Sequence, residues 1–229
     1  MLAFCIDPDQ IFVFQTIHTT AIEEDQCTLR KILMQVTRCV FHMIYVRKMV
    51  TNMMILLFSL LSWSASIAGI TFPDKHIVGE QTLSINGIGL REKFWIDIYA
   101  AALYLPFKSK NPNKVISSNV PKRLDIEFIY SKVPKQKMLD TFEQNLKDNP
   151  QIPKSAQKKM RSCYQWFQNF TTGDTVSFIY EPQKGTTFFI NGTPKTTIEG
   201  TDFMEAVFTI YLGPKPASIP LRQSLLGLN

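Results

Sequence analysis

The chain has 229 residues, 45% of them hydrophobic and 19% charged, with mean hydropathy near zero. That composition supports a buried core and excludes a disordered or collagen-like chain, and the length suits one sizeable domain with appendages. The formal charge of +6 lies wholly after residue 68, because residues 1–68 carry five basic and five acidic side chains.

Arg47 and Lys48 precede the apolar run Met53 to Leu61, which passes into Ser62-Trp63-Ser64-Ala65-Ser66-Ile67-Ala68. Basic, then apolar, then small is the order of a secretory signal peptide, so residues 49–68 are expected to be a signal with cleavage after Ala68. The run is short for a membrane-spanning helix, which needs about 20 apolar residues. An uncleaved anchor is the alternative; after cleavage no membrane span is expected. Residues 1–48 then read as an upstream extension or a mis-assigned start, and 69–229 as the single exported domain. Cys5, Cys27 and Cys39 precede the expected cleavage, leaving Cys163 without an intrachain partner.

Within that domain Leu83 to Ile88 alternates as a strand, Gly89 to Lys93 is expected to turn, and Phe94 to Leu105 follows as an aromatic-rich strand. Arg123 to Tyr130 alternates strictly, with Leu124, Ile126 and Phe128 on one face and Asp125 and Glu127 on the face expected to be solvated. Met138, Leu139, Phe142 and Leu146 then repeat at helical spacing over 135–147, and Pro153 opens a second helix expected to reach about Phe170. Strands at 175–180, 185–190 and 195–198 follow, the last two joined by the hairpin signal Asn191-Gly192. Gly200-Thr201-Asp202 starts a long helix with Phe203, Ala206, Val207, Ile210 and Tyr211 as its apolar stripe, ended by Gly213-Pro214. A short helix at 220–226 closes the chain. Strands, two helices, strands and a helix do not alternate as a parallel doubly wound sheet does; the order predicts an antiparallel α+β fold with the helices on one face.

Few residues offer chemistry. One histidine (His76) and one cysteine (Cys163) in the domain make no zinc site, so neither metal nor cofactor is expected, and His76 reads as an ordinary loop residue. Gly87-Ile88-Gly89 lacks the third glycine and the following helix of a dinucleotide site. Lys154, Lys158, Lys159 and Arg161 read as a solvated helix face, and no basic stripe indicates nucleic acid. The unusual segment is Arg91 to Tyr104, where a guanidinium and phenols enter an apolar stretch. Arg91, Tyr99 and Tyr104 are the candidate ligand-binding residues, because a guanidinium in an apolar cleft requires an anion and its fork fits a carboxylate. The competing reading pairs Arg91 with Glu92 at the surface.

The blocks Gly87-Ile88-Gly89-Leu90-Arg91-Glu92-Lys93-Phe94, Ile98-Tyr99-Ala100-Ala101-Ala102-Leu103-Tyr104-Leu105-Pro106, Asn191-Gly192, Ile198-Glu199-Gly200-Thr201-Asp202-Phe203 and Ile210-Tyr211-Leu212-Gly213 with Ser224-Leu225-Leu226-Gly227 together resemble the chalcone isomerase-like family, most closely its bacterial exported, periplasmic branch. The resemblance implies an open-faced β-sandwich: a large antiparallel sheet covered by a layer of helices, with a ligand cleft between them. It implies two activities: intramolecular ring closure of a chalcone, and non-catalytic binding of a fatty acid whose carboxylate is held by an arginine and a tyrosine. Arg91 matches the family arginine. Tyr99 falls where the enzymes have threonine and the fatty-acid binders tyrosine; Lys137 or a neighbour replaces the catalytic tyrosine, and only Asn145 could match the asparagine. The expectation is therefore a non-catalytic exported protein binding an apolar, carboxylate-bearing small molecule. An envelope interaction protein without ligand and a chalcone-flavanone-type isomerase are the alternatives.

Overall fold

In the computed structural model the chain divides into two compact units, Met1–Leu61 and Ser62–Asn229. The structure describes residues 34, 35, 38 and 42–49 of the first, all helical and exposed, and residues 64–228 of the second. Most of the expected signal segment, 50–63, lies outside the described residues. Its last part does not: Ser64–Ile67 is strand β1, paired with β2 (Ile70–Pro73) across a turn at Ala68-Gly69.

The second unit is built on a seven-stranded antiparallel sheet in strict sequence order: β3 (Lys75–Val78), β4 (Gln81–Lys93), β5 (Ile96–Leu105), β6 (Lys122–Phe128), β7 (Thr175–Glu181), β8 (Gly185–Ile190) and β9 (Thr193–Ile198). Helices α1 (Pro112–Ser117), α2 (Lys135–Asp148), α3 (Lys154–Ser162), α4 (Thr201–Leu212) and α5 (Ile219–Leu225) complete it. The α+β class and the helix-covered antiparallel sheet expected from the sequence are what the chain forms. The second mid-chain helix stops earlier than expected. After Ser162 it tightens into a 3-10 turn at Cys163–Trp166, and Phe167 leaves it extended to stack on Phe188.

Strand β5 is buried on both faces. Tyr99, Ala101, Leu103 and Leu105 join the main core with Phe128, Phe142, Phe170, Phe178, Phe188 and the inner side of α4. Ala100, Ala102 and Tyr104 join a second cluster with Phe72, Val78 and Leu83, so the N-terminal strands cover the sheet's other face. These short edge strands and α1 were not legible as periodic segments.

The β4–β5 turn is also displaced from expectation. Gly87 and Gly89 lie inside β4, and the two-residue turn is Phe94-Trp95, with Lys93 facing Ile96. Both turn residues have positive φ, 53° and 62°, a conformation costing roughly 1–2 kcal/mol for a residue with a side chain. The glycines serve packing. A Cβ on Gly87 would stand 2.1 Å from Ser224 O and 2.7 Å from Leu225 O, and one on Gly89 would stand 2.6 Å from Ser224 Cβ. Helix α5 therefore rests directly on the backbone of β4, and Asn86 Nδ2 donates to Leu225 O at 2.7 Å beside it. Gly87→Ala is expected to lower the thermal midpoint by about 2–10 °C, the overpacking penalty for a domain of this size; an unchanged midpoint by calorimetry would refute this seat.

Lys122 has 0% exposure, yet it is not a stray charge. Its Nζ donates to the carbonyls of Val115 and Ser118 at the end of α1, and burial pulls its pKa down to about 8.

Candidate functional site

Arg91 and Tyr99 are directly opposed in the β4–β5 ladder, which puts both side chains on one face. Immediately beyond them the register slips, Glu92 facing Asp97, so that Ile98 is the extra residue of a β-bulge. Ile98 and Tyr99 both reach the same side as a result. The bulged Ile98 carbonyl accepts from Ile129 N at 3.0 Å and Tyr130 N at 3.2 Å, tying down the segment that leads to α2.

The cleft these elements enclose measures about 620 Å³ and lies between the sheet and helices α2 and α4. Arg91, Lys93, Tyr99 and Tyr211 supply its polar groups on the sheet and α4 side; Ile98, Val133, Met138, Phe142, Ile210 and Ala217 supply apolar wall. Tyr99 and Tyr211 share a hydrogen bond, and burial pushes the Tyr99 phenol up to about 12 and the Tyr211 phenol well above its ordinary value. Both are neutral donors at physiological pH. The nearby Arg91 guanidinium opposes this shift without overcoming it.

Arg91 makes one hydrogen bond, to the backbone carbonyl of its neighbour Glu92 at 3.4 Å. Among the described residues no carboxylate forms an ion pair with it, and the Glu92 side chain is exposed. The competing surface Arg91–Glu92 pair is therefore not what the fold builds. Tyr211 was legible only as part of an apolar helical stripe; its position beside Tyr99 depends on how α4 crosses the sheet.

Tyr104 does not belong with them. It lies five residues from Tyr99 in the same strand, an odd separation that sends it to the opposite face, and it is absent from the residues lining the cleft. There its ring meets His76 edge-on at 4.6 Å. His76, expected as a loop residue, lies in β3 with Nε2 3.3 Å from Asp125 Oδ2. Asp125, expected to be solvated, is buried, and Arg123 Nε contacts both its oxygens at 2.8 Å. The N-terminal strands make the difference, covering a face that a half-buried strand would leave wet.

Other candidates resolve as structure. Cys163 is buried in the main core, and burial pushes its thiol up to about 12; His76 belongs to the other face of the sheet. Lys159 pairs with Asp202 at 2.6 Å and Arg161 is bidentate to Glu143 at 2.8 and 2.9 Å, so this basic cluster spends half its charges within the fold. Lys137 and Asn145 both line the cleft from α2. Among the described residues no group of three or more His, Cys, Asp or Glu side chains is placed to hold a metal, and no helix is long and apolar enough to cross a membrane.

A helix-covered antiparallel sheet, with an arginine and phenols in a cleft between the layers, defines an α+β fold with a site of small-molecule size. Residues 64–227 match the family described as chalcone isomerase-like, and the chain belongs to that family. Among solved structures the chain is similar to a fatty-acid binding protein from Arabidopsis thaliana, with a TM-score of 0.55 and 15% identity over 72% of this chain and 96% of that one. No curated protein matches the sequence.

On the other face, burial acts to raise the Asp125 pKa, but hydrogen bonding from His76 and the Arg123 charge outweigh it and hold the carboxyl below its usual value. A lowered folded-state value means that the stabilisation is present above the ordinary carboxylate range and is lost as pH falls through the folded value. Asp125→Asn is expected to cost about 1.5–3 kcal/mol near neutral pH, a gap from wild type that closes below about pH 4. Denaturant titrations across pH would reject the assignment if the gap were constant.

Proposed function

We propose that this is a non-catalytic binding protein for an apolar small molecule bearing a carboxylate, of which a fatty acid is the simplest case. The observation that carries the reading is a guanidinium opposed to Tyr99 inside the cleft and, among the described residues, not ion-paired with any carboxylate. A half-buried cation in that position is best completed by a ligand anion. The Tyr99 and Tyr211 phenols supply neutral donors beside it, and the apolar wall receives the tail. The likeness to a plant fatty-acid binding protein supports the same reading, as does tyrosine rather than threonine at position 99.

The isomerase reading draws on Asn145, which does line the cleft. It lacks the hydroxyl expected early in α2, where the lining residue is Lys137. Removing a polarising hydroxyl of that kind costs on the order of 100-fold or more in rate.

We also propose that the protein is exported, reaching the periplasm if the source is a Gram-negative bacterium. The support is the order of basic, apolar and small residues over 47–68. Cleavage after Ala68 would remove β1, the strand that pairs with β2, and keep β2 with its buried Phe72 in the mature chain. Amino-terminal sequencing of the secreted material should begin at Gly69; recovery of an unprocessed cytoplasmic chain would overturn export.

Oleate titrated into the full chain by calorimetry is expected to bind at one equivalent. Arg91→Ala is expected to weaken it by roughly 10- to 100-fold, the worth of a charged hydrogen-bonded pair, at an unchanged thermal midpoint. No binding by wild type, or equal affinity in the variant, would sink the reading.

A further inference from the structure

The tip of the β4–β5 hairpin is the most exposed apolar feature of the domain. Phe94 is 79% exposed, Trp95 96% and Ile96 43%, three consecutive residues. Folding does not explain their identity. A two-residue turn with positive φ at both positions favours Asn and Gly, and this one holds two aromatic side chains with φ of 53° and 62°. Phe94 is met by the Lys93 ammonium, 5.8 Å from the ring centroid. That same Lys93 lines the cleft, so the tip and the cleft mouth are continuous.

Charge follows the same division. Arg91 and Lys93 alternate onto the cleft side of the ladder, where Lys132 and Lys137 also line the opening. The acids of the tip, Glu92 and Asp97, face each other across the ladder and alternate onto its other side. Asp140 lines the cleft a turn beyond the start of α2, hydrogen-bonded by Gln136 at 2.8 Å, and Asp148 lies at that helix's far end.

We propose that this tip docks the protein on an anionic lipid bilayer, with Phe94, Trp95 and Ile96 entering the interface and Lys93, Lys132 and Lys137 meeting headgroup phosphates. Three side chains on a hairpin end are far too small an area for a stable protein interface, which needs about 800 Å² on each partner. A bilayer requires no matching surface. It accepts single aromatic side chains at headgroup depth and attracts nearby lysines. Docked this way, the cleft opens at the membrane surface. Its use there, exchange of an apolar acid with the bilayer, rests on the binding reading above; the docking itself does not.

The test uses the full chain with Trp63→Phe and Trp166→Phe, so that emission reports Trp95 alone. Vesicles of phosphatidylglycerol and phosphatidylcholine brominated in the acyl chains should shift that emission to the blue and quench it, less so as salt rises. In the otherwise unaltered chain, Phe94→Asn with Trp95→Gly installs the residues the turn geometry favours, so misfolding is not at issue. This double variant should sediment with phosphatidylglycerol vesicles at least 10-fold more weakly, while its thermal midpoint rises and its oleate affinity in solution stays unchanged. Trp95 emission indifferent to brominated lipid, or a double variant that sediments like wild type, overturns the proposal, the first outcome leaving a protein partner for the tip. Vesicle docking without oleate binding would sustain the docking proposal and sink the fatty-acid reading instead.

Discussion

Burial of β5 on both faces is the constraint from which the rest of the structure follows. A strand with one wet face can place a polar side chain at every second position at little cost; a strand covered twice cannot. An unpartnered polar group on β5 is therefore costly, and the Tyr104 hydroxyl is one that stays without a hydrogen bond. Ala100, Ala101 and Ala102 keep the middle of the strand thin, so the helical layer and the N-terminal strands can both lie close against it. The polar positions sit near its two ends. Tyr99 is matched by Tyr211 and Arg91 on the helical side, and Tyr104 lies against His76 on the other. One strand thereby separates a cleft from a buried ion cluster that pins down the N-terminal cover.

Much of this order was legible because local periodicity and tertiary burial agree. The stripe Met138, Leu139, Phe142 and Leu146 forms α2; the stripe from Phe203 to Tyr211 forms α4; and Asn191 and Gly192 adopt positive φ in the hairpin they signal. Sequence reading failed where a residue's role is set by something distant. Asp125 looks solvated until β3 brings His76 over it. Gly89 looks like the start of a turn until Ser224, 135 residues later, presses on it and the strand runs on to Lys93. The true turn was hidden because aromatic residues occupy positions where glycine or asparagine usually announces one. Within the site, Arg91 and Tyr99 were found by their oddness in an apolar stretch, whereas Tyr211 was concealed by a helix that is apolar nearly all round.

The proposed binding role is consistent with the cleft's polar inventory. Its phenols are kept neutral by burial, and its cations are a guanidinium near the sheet and lysines toward the opening. Fixed donors stabilise an anion that arrives already formed, and do so equally before and after any reaction. Acceleration needs donors aimed at charge that appears only in the transition state. For ring closure of a chalcone that means a hydroxyl opposite the arginine, polarising the ketone while the arginine guides the phenolate. The side chains that line the cleft from α2 include Lys137, Thr141 and Asn145, and the Thr141 hydroxyl donates to the Lys137 carbonyl at 2.8 Å.

The β4–β5 ladder carries three successive tasks along its length. At Gly87 and Gly89 its backbone is bared to seat α5; four residues on, Arg91 faces Tyr99 across the cleft wall; three or four residues beyond that, it ends in exposed aromatics. The bulge at Ile98 divides the ladder between the second task and the third. A regular register would continue the pairing unchanged from the core to the tip. The extra residue increases the local twist, aims two adjacent side chains into the cleft and leaves a carbonyl that anchors the segment before α2. The doubly buried part of β5 thus ends at the Arg91–Tyr99 pair, and beyond the bulge the ladder becomes progressively exposed toward the hairpin tip. Only a few residues separate the tip from the cleft mouth, and Lys93 belongs to both.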